Sequence, residues 1–328
     1  MDKKIKIAIC GYGNLGHGIE SEISKNSDME LVAVFTRRSP AESLEISADV
    51  PVVHVDSAAQ WKDKVDVMIL CGGSANDLPE QGPEFAAIFN TVDSFDTHAK
   101  IPQYFDAVDS AAKSGNNVSV ISAGWDPGLF SLMKLYMGAV IPSGKTYAFW
   151  GPGVSQGHSG AIRGIDGVVG GIQYTVPIDS AMEQIRKGDM PDFAPREQHK
   201  RVCYVAVAEG ADKARIEKEI KEMPNYFADY DTTVNFVSLD ELKANHSKLP
   251  HGGNVIHMGT TSEGTNHVIE FSLKLDSNPE FTSSVLLACA RAAYRLAEKG
   301  ERGARTIFDI PPVLLSPLEL KEAIKTLL

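Results

Sequence analysis

Three glycines, Gly11, Gly13 and Gly16, follow directly on the apolar run Ile5-Lys6-Ile7-Ala8-Ile9-Cys10. A Gly-x-Gly-x-x-Gly turn between a strand and a helix is suited to receive a diphosphate. The first glycine permits the tight turn, the second lets the backbone approach the ligand, and the third lets helix and strand pack closely. The N–H groups opening the next helix have no intrahelical partners and attract the anion. At the end of the second apolar run stands Thr36-Arg37-Arg38-Ser39, with no acid. An Asp or Glu there would bond a ribose 2′-hydroxyl, whereas two guanidinium groups suit a 2′-phosphate. The arginine pair therefore predicts NADP(H) over NAD. A third turn, Cys71-Gly72-Gly73-Ser74, ends another apolar run at the edge where open α/β sheets bind ligands. Its small residues suit backbone contact with a cofactor, and equally any tight turn.

These turns need a sheet to position them. Short Val- and Ile-rich runs at Lys6–Cys10, Leu31–Phe35, Val65–Cys71, Thr91–Asp93 and Val118–Ser122 predict strands buried on both faces. Helices are expected between them at Leu15–Lys25, Glu80–Asn90 and Ile101–Lys113. This alternation predicts a Rossmann-type doubly wound parallel sheet. The pattern changes after Trp125. Asp126-Pro127-Gly128 reads as a helix start, with Asp as N-cap and Pro at N1, leading into Leu129–Val140. The stretch Gly151–Gly160 reads either as a plain loop or, with Trp150, Gln156 and His158 interspersed, as a binding loop. Strands are expected at Arg201–Ala208, Thr233–Val237, Asn254–Thr260 and Val268–Leu275, with a helix at Asp212–Met223. Polar alternation in the last strand suits a mixed or antiparallel sheet with one wet face. Two terminal helices are expected, Phe281–Lys299 and one opened by the capping box Ser316-Pro317-Leu318-Glu319.

Composition narrows the function classes. A chain of 328 residues, 43% hydrophobic and 23% charged, has room for two domains. Its net charge of -11 would repel a nucleic-acid backbone. The start, Met1-Asp2-Lys3-Lys4, opens no signal-peptide core, and no run approaches the roughly 18 apolar residues of a membrane span. A cytoplasmic protein is expected, with neither a nucleic-acid nor a membrane partner. Cys10, Cys71, Cys203 and Cys289 are scattered, with no C-x-x-C pair, and the nine histidines include no H-E-x-x-H, so neither disulfide nor metal is expected.

With these motifs in place, the chain resembles the meso-diaminopimelate dehydrogenase family. The resemblance rests on Gly11-Tyr12-Gly13-Asn14-Leu15-Gly16, Thr36-Arg37-Arg38, Gly124-Trp125-Asp126-Pro127-Gly128 and Trp150-Gly151-Pro152-Gly153. It continues through Ser155-Gln156-Gly157-His158-Ser159, His199-Lys200-Arg201, Pro250-His251-Gly252-Gly253 and Leu275-Asp276-Ser277-Asn278-Pro279. It implies oxidative deamination of the D-centre of meso-2,6-diaminopimelate with NADP, in lysine and cell-wall precursor metabolism, by a homodimer. By the same resemblance Asp96, Trp125 and Asp126 surround the reacting centre. Trp150, Gln156, Gly157, Thr175, Arg201, His251 and Asn278 supply the other substrate contacts, with Arg201, Thr175 and His251 toward a carboxylate. Cofactor contacts fall at Tyr12, Asn14 and Leu15 beside the glycines, at Thr36, Arg37 and Arg38, and at Cys71, Gly72, Gly73 and Ser74. They continue at Ser94, Phe95 and Asp96, and at Ala123, Gly124, Trp125, Asp126 and Pro127. Ala123 and Ser94 depart from the hydroxyl or similar residues expected there, in turns where backbone contacts dominate.

The residues themselves leave more open. Arg201 and His251 can serve carboxylates, and Asp96 and Asp126 amines. Equally, Asp126 can be only an N-cap, His251 a turn residue, Arg201 a solvated charge, and Trp125 and Trp150 core aromatics. An aspartate-semialdehyde dehydrogenase would need a cysteine nucleophile and a homoserine dehydrogenase a catalytic lysine; neither has a suitable setting here. A non-catalytic NADP-sensing regulator is the rival of another class. The expected organisation is a dinucleotide-binding domain over residues 1–125 plus about 280–328, the C-terminal helices packing back on it. A second α/β domain, 126–279, is expected to bind substrate and form the dimer.

Overall fold

The computed structural model describes residues 4–39 and 41–328, apart from the side chain of Glu42; Met1, Asp2 and Lys3, which open the expected first domain, lie outside it. In chain order the strands are β1 (Ile5–Cys10), β2 (Met29–Thr36), β3 (Val52–His54), β4 (Val67–Leu70), β5 (Asn90–Asp93), β6 (Val118–Val120) and β7 (Lys145–Trp150). There follow β8 (Gly153–Val154), β9 (Val168–Pro177), β10 (His199–Val207), β11 (Asp231–Phe236), β12 (His251–Ser262), β13 (Thr265–Leu275) and β14 (Gly303–Arg305). The chain forms two compact units, one of Met1–Leu132 with Pro279–Leu328, the other of Met133–Asn278.

The first unit holds a seven-stranded parallel sheet in the order β14-β6-β5-β4-β1-β2-β3. The chain runs outward from β1 to β2 and β3, then returns to place β4 on β1's other side. That reversal is the switch point at which doubly wound sheets bind ligands, beyond the carboxyl ends of the strands. Alternation along the strands supplies two apolar faces. Ile5, Ile7 and Ile9 pack with Ile19 and with Leu286, Leu287 and Ala290 of the helix Asn278–Glu298, while Ala8 and Cys10 face Phe85 and Tyr104. Each fully buried aliphatic side chain contributes about 1.5–3 kcal/mol. Arg291, 2% exposed, anchors that helix through Asp28 at 2.6 and 2.9 Å. This pairing holds the Asp28 carboxyl below its ordinary range.

The second unit has two sheets rather than one. A mixed sheet runs β11-β10-β9-β8, with β10 and β11 parallel and the other pairs antiparallel; a separate antiparallel sheet runs β13-β12-β7.

Three local readings are corrected. Asp126 is not the N-cap of the helix Leu129–Val140: Asp126-Pro127 is a cis peptide within a turn closed by a Trp125–Gly128 bridge. The helix instead begins on backbone bonds from Leu129 to Gly124 (3.0 Å) and Phe130 to Trp125 (2.7 Å). The stretch Gly151–Gly160 is not a loop but β8 followed by the helix Gln156–Arg163, capped by Ser155. Ser316 does not open the last helix; its hydroxyl accepts from Leu318 N–H at 3.0 Å, and that helix starts at Leu320 with Glu319 at the N-cap position.

Candidate active site

The residues expected to contact a nucleotide lie along the carboxyl ends of β1, β2, β4, β5 and β6 in the first unit. Gly11 has φ +93, and a Cβ on Gly16 would lie 2.5 Å from the Gly11 carbonyl oxygen, so both positions require glycine. Gly13 opens the helix Asn14–Ile23 without a side-chain cap, and a Cβ built there would meet nothing within 4 Å. Exposed Gly13 and Asn14 thus present uncapped first-turn N–H groups to open space, the arrangement that binds a diphosphate. Half-buried Leu15 packs on the sheet, and Tyr12 donates its hydroxyl to Glu20. Thr36 is buried, with its hydroxyl accepting from Arg38 N–H at 3.1 Å. Arg37 and Arg38 are both exposed, and Arg37 is held by Asp77 at 2.8 Å. Asp77 also accepts from Gly73 N–H at 2.8 Å, tying the Cys71–Ser74 turn to the arginine. Uncapped helix start and exposed arginine pair together fit a dinucleotide with a 2′-phosphate.

The remaining first-unit residues sit on the neighbouring turns. Ser74 Oγ accepts from Asp96 N–H at 3.0 Å, Phe95 is buried against Tyr104 with ring centroids 4.1 Å apart, and Asp96 is exposed. Ala123, Gly124 and Trp125 are buried, Asp126 and Pro127 half-buried. Trp125 meets Phe130 edge-on at 5.2 Å.

The second unit gathers a polar cluster by cross-strand register. Thr175 on β9 stands between Arg201 on β10 and Gly153 on β8. Arg201 Nη1 donates to Thr175 Oγ1 at 2.6 Å, and its guanidinium lies 3.8 Å over the Tyr230 ring. Arg201 is only 7% exposed. Among the described residues no carboxylate pairs with it, and its Nε has no hydrogen-bond partner. Gly151, at φ +96, and Gly153 let β8 pass where side chains would collide: Cβ atoms there would lie 2.0 Å from the Thr175 carbonyl oxygen and 2.5 Å from His251 Cα. Trp150 N–H donates to His199 Nε2 at 2.8 Å, and their rings stack at 5.3 Å. Gln156 and Gly157 are exposed in the first turn of their helix, and Asn278 N–H bonds Leu249, two residues before His251.

A family model described as the diaminopimelic acid dehydrogenase C-terminal domain matches residues 124–277. A meso-diaminopimelate D-dehydrogenase of Ureibacillus thermosphaericus is 60% identical over 325 residues, covering 99% of each chain. The chain belongs to the meso-diaminopimelate D-dehydrogenase family. A six-substitution mutant of the Clostridium tetani enzyme, crystallised with DAP, superposes with a TM-score of 0.94 at 53% identity, over 99% of this chain and 100% of that one. An engineered D-amino acid dehydrogenase bound to NADP+ superposes with a TM-score of 0.86 at 42% identity, over 99% of each.

Within this family fold Tyr230 and Gln173 were not singled out from the sequence, and His199, though part of the His199-Lys200-Arg201 motif, was given no role. Gln173 is fully buried beside Thr175, its amide nitrogen 3.3 Å from Thr175 Oγ1 and its Oε1 without a hydrogen-bond partner among the described residues. Period-two alternation was the available signal, since Gln173 and Thr175, like His199 and Arg201, share a face. Tyr230 offered no such signal, because only the parallel pairing of β10 with β11 brings it under Arg201.

Burial, and then the Arg201 charge, lower His158 and His199 from 6.5 to about 4. The charged member of this cluster is therefore Arg201, with both imidazoles neutral at pH 7. Because the unfolded histidines protonate near 6.5 and the folded ones near 4, the stability tied to them is complete above pH 6.5. It is lost as the pH falls toward 4. Denaturant midpoints measured across that window should fall less for His199→Gln, which keeps an acceptor for Trp150 N–H, than for the parent. Identical slopes would mean that His199 titrates normally in the fold.

Proposed function

We propose that this chain catalyses NADP-dependent oxidative deamination of the D-centre of meso-2,6-diaminopimelate, giving L-2-amino-6-oxopimelate and ammonia. The observation that carries the reading is Arg201, a buried cation without a carboxylate partner among the described residues. An uncompensated buried charge costs several kcal/mol, and a substrate carboxylate supplies the missing partner. Thr175 and His251 are assigned to the same carboxylate, with Trp150, Gln156, Gly157 and Asn278 around that distal L-configured end. Asp96 and Asp126 are assigned to the reacting amine, which must be neutral before its carbon is oxidised, so a carboxylate there accepts or orients its proton. Buried Trp125 excludes water from the reacting centre.

Bound NADP supplies the hydride acceptor. The Gly11–Gly16 turn would hold its diphosphate, with Thr36, Arg37 and Arg38 at the 2′-phosphate. The backbones of Cys71–Ser74, Ser94–Asp96 and Ala123–Pro127 would complete the cofactor contacts. We assign the nucleotide to the first unit, and the distal substrate contacts and homodimer formation to the second. The setting is cytoplasmic lysine and cell-wall precursor metabolism; among the described residues no helix is long and apolar enough to cross a membrane.

The test is NADPH formation with each diaminopimelate isomer. Meso-diaminopimelate with NADP should be turned over, and no reduction with any isomer would leave the chain a binding protein. Each charge-assisted contact to the 2′-phosphate contributes about 1.5–3 kcal/mol. Neutralising Arg37 and Arg38 together should therefore cut the preference for NADP over NAD by about 10²–10⁴-fold, chiefly through NADP affinity. Equal use of both cofactors by the parent would remove the arginines from this role.

A further inference from the structure

Asp93, the last residue of β5, is 1% exposed and lies outside the residues assigned above to substrate or cofactor. Its Oδ1 accepts from Phe95 N–H at 2.9 Å and from Ser122 N–H at 3.0 Å, while its Oδ2 accepts the Tyr104 hydroxyl at 2.7 Å. Its backbone carbonyl accepts from Ala123 N–H at 2.8 Å. Phe95 lies in the turn that carries Asp96, and Ser122 opens the turn that leads to Asp126. Ser122 has φ +53, a left-handed conformation that a non-glycine residue keeps only when its surroundings hold it. Tyr104 braces the carboxylate from the helix Ile101–Gly115 and stacks on Phe95, closing the network. A buried carboxylate with three donors is costly to leave half-satisfied, so the arrangement admits one geometry for both turns.

From these bonds we infer that Asp93 is a positioning residue for the deamination, setting the Asp96 and Asp126 turns in one fixed relation. The inference rests on the proposed roles of those two aspartates. Asp93 touches neither substrate nor cofactor. It acts through backbone N–H groups, so the pattern of acceptors matters more than the charge. Asparagine keeps the acceptor for both N–H groups and reverses only the third bond, its NH2 donating to the phenol oxygen of Tyr104. Alanine can do neither.

The experiment compares Asp93→Ala, Asp93→Asn and Tyr104→Phe with the parent by steady-state kinetics, NADPH fluorescence titration and amide hydrogen exchange. Misplacing reacting groups by about an ångström costs around 10²-fold. Asp93→Ala should lose kcat on that order with a much smaller loss of NADPH affinity, because the diphosphate turn and the arginine pair make no bond to Asp93 and only the backbone contacts assigned at Ser94–Asp96 and Ala123–Pro127 are loosened. Asp93→Asn should recover most of the turnover. In the alanine variant Ser94–Asp96 and Ile121–Asp126 should lose exchange protection together. If that variant does not fold, Tyr104→Phe, which removes one of the three donors, should show the same paired loosening and a smaller kcat loss at unchanged KM. Parental turnover in Asp93→Ala, loosening of one turn alone, or asparagine as damaging as alanine would overturn the inference. A parent inert toward meso-diaminopimelate would sink the functional reading instead, and the exchange comparison would still decide whether Asp93 couples the turns.

Discussion

Asp126→Asn should lower turnover of meso-2,6-diaminopimelate by about 10²–10⁴-fold, the usual contribution of a positioned general base, with NADP affinity nearly unchanged. The structure sharpens this expectation. The helix begins only at Leu129, and the turn Gly124–Gly128 is closed by backbone bonds that the substitution leaves alone. A loss of rate therefore reports on the carboxylate rather than on a frayed helix. Overall, ammonium-form substrate, NADP+ and water give oxo acid, ammonium, NADPH and a proton, so deamination by the parent should also improve at alkaline pH. Rates measured for parent and variant from neutral to alkaline pH provide the check. Near-parental turnover in the variant would strip Asp126 of the role and leave Asp96 to be tested in its place.

The parent should discriminate against D-alanine by as much as about 10⁴–10⁵-fold relative to the meso compound, since a site built to bond a polar group rejects analogues that lack it. Arg201 is where this discrimination concentrates. With D-alanine bound and water excluded, the guanidinium would keep only Thr175 and the Tyr230 ring as partners. The L,L isomer can satisfy Arg201 but presents the wrong substituent for oxidation, so it too should react poorly. Arg201→Met should raise KM for the meso compound far more than it alters activity on a D-amino acid with no distal carboxylate. The thermal midpoint should hold or rise, because a buried unpaired cation gives way to an apolar chain. Equal losses on both substrates, or a collapsed midpoint, would mean that Arg201 supports the fold and would remove it from the carboxylate.

How much of this was legible in the sequence depended on whether the signal was local. The Gly11–Gly16 turn and the arginine pair are local, since each follows an apolar run and needs no distant partner to be read. The three-residue edge strands β3 and β14 carry too few residues to show a period, and only pairing with β2 and β6 makes them strands. In the second unit Gly170-Gly171 breaks the apolar run of β9, which hid that strand, and three glycines obscure the helix Gln156–Arg163 with the strand before it, so composition there pointed to a loop where register made structure. Arg201 was legible through resemblance, but its burial was not. A strand-opening arginine reads as solvated until β9 and β11 are known to flank it. Asp93 was invisible for a similar reason, because its partners Ser122 and Tyr104 come from two other elements.

The divided first unit also sets an order on biosynthesis. Ile7 and Ile9 on β1 pack against Leu286, Leu287 and Ala290, side chains that leave the ribosome only after the whole of Met133–Asn278 has been made. Domains fold largely as units as the chain emerges. The contiguous middle unit can therefore finish while the nucleotide sheet waits with one apolar face bare, open to chaperones and to aggregation. A nascent chain arrested just after Asn278 should be protease-sensitive in β1 and β2 and unable to retain NADP, even though every residue of the glycine turn and the arginine pair has already been translated.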